Sequence, residues 1–91
     1  MKQLHLVCYD LHSRREIGDY QGLWSELKRL GAFRGLESSW WLERDDITTV
    51  EVRDRLSRYI DREDRLLVVR VTDWAGRWLK ATAGDVARKV A

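Results

Sequence analysis

The sequence has only one cysteine, Cys8, which excludes a disulfide framework and a cysteine-rich zinc site. No apolar run approaches the ~18 residues of a membrane span, so no membrane partner is expected. Charge of one sign is also scarce. The 17 basic and 15 acidic residues leave a formal net charge of +2, which is no nucleic-acid signature by itself. A phosphate-binding face would need local clustering. Repeats, low-complexity stretches and Gly/Ser linkers are missing, so the 91 residues read as one continuous run of elements around one core. The amino end, Met1-Lys2-Gln3, lacks a signal-peptide core, which makes a reducing cytoplasm the expected location. Proline is absent altogether. What is present is a globular composition, 44% hydrophobic and 35% charged, with five tryptophans that imply a bulky core or an apolar interface.

Gln3 to Tyr9 alternates and then runs apolar before Asp10, which predicts a central strand buried on both faces. Residues 10–19 are polar apart from Leu11 and Ile17 and form a loop ending in a Gly18-Asp19 turn. Tyr20, Leu23, Trp24, Leu27 and Leu30 then recur at helical spacing, and Gly31 supplies a left-handed stop. A helix over Tyr20 to Leu30 follows. Phe33 to Arg44 is long enough for two short strands joined near Glu37-Ser38, a single bent strand being the alternative. Thr48 and Glu51 form a capping box, and Thr49, Val52, Leu56 and Tyr59 or Ile60 make the apolar stripe of a second helix reaching about Ile60. After the charged loop 61–64, Arg65 to Thr72 is aliphatic and β-branched and predicts a buried strand. Asp73 would cap a short helix carrying Trp74, Trp78 and Leu79, and Asp85 a last amphipathic turn with Val86 and Val90.

The order strand, helix, strand pair, helix, strand, tail predicts an α+β fold. It is the ferredoxin-like split βαβ sandwich (βαββαβ) with a short C-terminal helical tail. Residues 1–73 make the domain and residues 74–91 an extension packing on a dimer. Helices cover one sheet face, and at this length pairing of the other face makes a homodimer the expected state.

Particular residues add a family resemblance. Tyr9-Asp10 at the first strand's end, Leu30-Gly31, Arg34, Ser38 and Trp40 resemble CRISPR-associated protein 2 and its toxin relative VapD. Glu37-Ser38-Ser39-Trp40, Arg53-Asp54-Arg55-Leu56, Asp64-Arg65-Leu66, Val68-Val69-Arg70 and Trp78-Leu79 are most similar to the SinR-like branch of that superfamily. The resemblance covers roughly residues 4 to 79. It implies a ferredoxin-like homodimer, in some members a magnesium-dependent nuclease, and in CRISPR adaptation an architectural DNA-binding subunit. The family's metal-binding aspartate corresponds to Asp10 alone. Two departures bear on activity: Leu36 stands where CRISPR-associated protein 2 usually has a polar residue, and the sheet ends differently, in Val71-Thr72-Asp73-Trp74.

A hard cation such as Mg2+ prefers oxygen ligands, and one carboxylate per chain holds it weakly. Two Asp10 side chains meeting across a twofold axis would hold it better. Ser38 would then position water or a phosphate oxygen, with His12 and Arg14 or Arg15 placed to serve a leaving group or clamp phosphate. The plainer role for Asp10 is capping the loop backbone. His5 reads as a packed histidine, and Cys8 as core filling. The five tryptophans fit core and dimer interface better than base-stacking platforms. The arginines between Arg53 and Arg65 alternate with Asp54, Asp61, Glu63 and Asp64 and read as a salt-bridged face. Arg14, Arg15 and Arg34 are less compensated and are the expected nucleic-acid contacts, with Lys28, Arg29 and the tail's Arg77, Lys80, Arg88 and Lys89 able to extend that face. The leading expectation is therefore a homodimer of a defence or toxin system acting on DNA or RNA as a divalent-metal-dependent endonuclease. The alternative is a non-catalytic architectural module for DNA or a protein partner.

Overall fold

The computed structural model describes residues 3–11 and 20–79. In chain order its elements are β1 (Gln3–Asp10), α1 (Gln21–Arg29), β2 (Phe33–Leu36), β3 (Ser39–Arg44), α2 (Thr49–Ser57) and β4 (Arg65–Val71). The segment Phe33 to Arg44 is thus a hairpin turning at Glu37-Ser38, not a bent strand. All pairings are antiparallel, in the order β2-β3-β1-β4. Helix α1 links strands that flank β3, and α2 links strands that flank β1, so the two strand-helix-strand units interleave. Among the described residues no helix is long and apolar enough to cross a membrane.

Local chemistry sets the helix ends. Gly31 adopts φ 91°, a conformation costly for residues with a Cβ. It lets the Gly31 N–H donate to the Lys28 carbonyl at 3.0 Å and the Ala32 N–H to the Leu27 carbonyl at 2.9 Å, the double bond of a Schellman stop. At α2 the Glu51 N–H donates to Thr48 Oγ1 at 3.1 Å, and the Thr48 N–H donates to Glu51 Oε1 at 3.2 Å. The predicted capping box is present. The regular helix ends at Ser57, earlier than the apolar stripe implied, but Tyr59 and Ile60 still pack on the core from the turn that follows.

Alternation along the strands divides the sheet into two faces. His5, Val7 and Tyr9 of β1 lie with Trp40 and Leu42 of β3 under Leu23, Leu27 and Leu30 of α1 and Val52 and Leu56 of α2. The other face carries Leu4, Leu6, Cys8, Phe33, Trp41, Leu67, Val69 and Val71. This corrects the expectation for β1. It is central but fully buried only on its helix side, with Leu4, Leu6 and Cys8 half-buried. Strand β4 is likewise no buried strand: it is a sheet edge, with Leu67 58% exposed.

The helix expected after Asp73 is absent from residues 73–79. Trp74 instead leans on Trp41, ring centroids 5.2 Å apart, which closes part of the open face. The chain doubles back so that Leu79 sits on Gly76, where a Cβ would lie 2.5 Å from Leu79 Cδ1. Trp78 adopts φ 58° and is 86% exposed. Aromatic packing and this reversal override the capping signal at Asp73. The turn expected at Asp85 lies outside the described residues.

Candidate active site at the end of the central strand

Asp10 is the exposed last residue of β1, opposite Arg65 of β4. Ser38 lies in the β2–β3 turn, and its carbonyl accepts the Tyr9 N–H at 3.0 Å. That bond ties the turn to the end of β1, so Asp10 and Ser38 share one end of the sheet. A shallow cleft of about 200 Å³ opens there between Cys8, Asp10, Arg65 and Leu67. Strand alternation puts Asp10 on the open face with Leu6, Cys8 and Leu67.

Oxygen ligands suit a hard cation, and Asp10 supplies them from an exposed position. Among the described residues no group of three or more His, Cys, Asp or Glu side chains is arranged to hold a metal. His5 is no candidate. It is 1% exposed on the opposite face, and neither ring nitrogen makes a hydrogen bond of normal geometry. Burial pushes its pKa down, the nearby Ile47 backbone opposes this, and Arg70 reinforces it. Cys8 is a free thiol, half-buried on the open face and not in the helix-side core, with Ser39 Oγ 3.5 Å from its sulfur.

Arg34 is separated from Asp10. Paired with Trp40 in the β2–β3 ladder, it lies on the helix side of the sheet. Its guanidinium carbon is 5.4 Å from the Trp24 ring centroid and 5.0 Å from that of Trp40. His12, Arg14 and Arg15 lie outside the described residues. Within the α2 arginine run, Arg53 pairs with Asp54 at 2.9 Å, as a solvated salt-bridged face would.

Two buried polar arrangements escaped the sequence reading. Glu26, on the core-facing side of α1, accepts from Arg55 at 2.9 Å and pairs with Arg29 at 3.0 Å, with Tyr59 OH 3.5 Å away. Arg55 thus bridges the two helices. Glu26's place three residues after Leu23 and beside Leu27 was the available signal, since a carboxylate in an apolar stripe needs a cationic partner. The second is Tyr9, whose hydroxyl accepts the indole N–H of Trp24 at 3.1 Å and of Trp40 at 3.0 Å and lies 3.4 Å from the Glu37 carbonyl. Nothing in the linear spacing joins those three rings.

No protein-family model matches the chain. Among solved structures, the fold is similar to the crystal structure of a hypothetical protein, TT1823, from Thermus thermophilus. The TM-score is 0.65 at 24% identity, over 85% of this chain and 90% of that one. At that identity the likeness establishes the shared α+β architecture, a four-stranded antiparallel sheet with two helices.

Proposed function

We propose that the chain is a ferredoxin-like homodimer acting on nucleic acid as a Mg2+-dependent endonuclease of a defence or toxin system. The observation that carries this reading is the position of Asp10, at the exposed end of β1 and on the same face as the apolar surface of Leu6, Leu67 and Val69. Twofold packing of that surface would bury Leu67 and bring two Asp10 carboxylates toward one axis. The interleaved strand order supports the ferredoxin-like assignment.

When bound, the cation would polarise a phosphodiester and lower the pKa of nearby water. Asp10 would hold the cation, and Ser38, tied to the same sheet end through the Tyr9 N–H, would orient water or a phosphate oxygen. Arg14 and Arg15 are proposed to neutralise the backbone, and Arg34 to contact nucleic acid from the other side of the sheet.

The test is metal-dependent cleavage of DNA and RNA by wild type and Asp10→Asn, with light scattering at micromolar concentration. Cleavage by wild-type dimer and its loss in Asp10→Asn at unchanged melting temperature are expected. Activity retained by Asp10→Asn, or a purely monomeric mass, would refute the shared site. A second reading, a non-catalytic module for DNA or a protein partner, draws on ion pairing: Arg44, Arg53 and Arg55 are engaged by Asp46, Asp54 and Glu26. A dimer inert with both magnesium and manganese would favour it.

A further inference from the structure

On the side of the sheet away from Asp10, a cleft of about 510 Å³ lies between α1 and the outer strand β2. Its wall includes Trp24 and Lys28 of α1, Ala32, Arg34 of β2 and Trp40 of β3. The volume falls in the range of about 300–1,000 Å³ that takes small organic ligands. Of the described residues that line it, two are cations and none is a carboxylate. Among the described residues neither Lys28 nor Arg34 has an acidic partner, although Arg29, Arg44, Arg53 and Arg55 all do.

Arg34 is also held in place before any ligand arrives. The Trp24 and Trp40 rings flank its guanidinium at 5.4 and 5.0 Å, and both indole N–H groups are anchored on Tyr9 OH. Cation–π contact satisfies the faces of a guanidinium but leaves its in-plane N–H donors unused. Arg34 Nε is buried with no hydrogen-bond partner, so the chain leaves the guanidinium charge uncompensated, a deficit that an oxyanion on the cleft side of the group would reduce. A planar fork backed by a second, exposed charge at Lys28 matches a doubly charged phosphate better than a carboxylate. With its indole N–H spent on Tyr9, half-buried Trp24 offers the cleft apolar aromatic surface, which suits a planar ring, while buried Trp40 backs Arg34.

We propose that this cleft is a binding site for a nucleoside 5′-phosphate, the phosphomonoester held by Arg34 and Lys28 and the base against the Trp24 side. The same group occurs on a free mononucleotide and at the 5′ end of an oligonucleotide. The site shares no described residue with the Asp10 cleft and does not rest on the proposed nuclease activity.

The five tryptophans each give an indole cross-peak in a proton–nitrogen correlation spectrum, so a titration of the intact protein reports on the site directly. Adenosine 5′-monophosphate should shift the Trp24 and Trp40 peaks together and saturably, while adenosine and benzoate bind at least about tenfold more weakly. Lys28→Gln and Arg34→Lys should each lower the affinity about tenfold, since each removes part of the charge-assisted recognition. Lys28 is exposed, so its variant keeps the fold intact as a control, and Asp10→Asn should leave binding unchanged. Tighter binding of a 5′-phosphorylated trinucleotide than of the mononucleotide would assign the site to nucleic-acid ends, and equal binding to free nucleotides. The proposal is overturned if the two peaks stay unmoved at roughly 10 mM mononucleotide, or if adenosine or benzoate binds as well as the phosphate ester.

Discussion

Replacing Tyr9 by phenylalanine isolates one oxygen atom on which the aromatic side of the fold converges. The ring and its packing are retained, so no cavity opens. Two indole donors, at 3.1 and 3.0 Å, lose their acceptor. Trp40 is 4% exposed, and its N–H has no route to water, so it bears most of a buried-donor penalty of about 1–3 kcal/mol. Half-buried Trp24 can turn toward solvent and should add only a fraction of that. The 3.4 Å contact to the Glu37 carbonyl is long and contributes little. The sum is a loss of about 2 kcal/mol. At about 4–8 °C per kcal/mol for a domain of this size, the melting midpoint should fall by roughly 10 °C. Urea unfolding of wild type, Tyr9→Phe, Trp40→Phe and the double variant measures both the loss and the coupling. A Tyr9→Phe loss below about 0.5 kcal/mol, or additive single effects, would show that the three-ring hydrogen-bond centre does not stabilise the fold.

His5 should make stability fall on acidification. Its folded pKa is lowered chiefly by burial, whereas the unfolded ring titrates near its ordinary value of about 6.5. Its contribution is therefore full above that pH and is lost as pH falls toward the folded pKa, with a slope approaching about 1.4 kcal/mol per pH unit. His5→Leu should flatten the wild-type curve between about pH 7 and pH 5; parallel curves in urea unfolding would refute the assignment. Thr48→Ala removes the acceptor of the Glu51 N–H and should cost about 1 kcal/mol in the same measurement. Leu67→Glu, on the half-open edge strand, should convert a dimer to a monomer by light scattering without lowering the monomer's melting temperature, and an unchanged dimer would move the interface elsewhere.

The elements were legible because their signals are local. Leu23, Leu27 and Leu30 recur at helical spacing, Gly31 permits a left-handed stop, and Thr48 with Glu51 closes a capping box, each readable within a few residues. A residue's surroundings across the sheet are not local in that sense. Arg65 to Val71 has the composition of a buried strand, but only the pairing order β2-β3-β1-β4 places it at an edge. Asp73 could have capped a helix, yet packing of Trp74 on Trp41 and of Leu79 on Gly76 settled a different path.

Site geometry divides along the same line. The sequence alone determined that Asp10 follows an apolar strand, because charge punctuates apolar runs, and left Ser38 either in a tight turn or in a bent strand until the β2–β3 pairing settled the turn. Only the tertiary structure decided that Asp10 and Ser38 share one sheet end, while Arg34 points to the other face between Trp24 and Trp40. Alternation fixes side relative to side within one strand. Which face of each strand meets the helices, and which rings from distant segments then share the Tyr9 hydroxyl, depends on register between strands that are far apart in the chain.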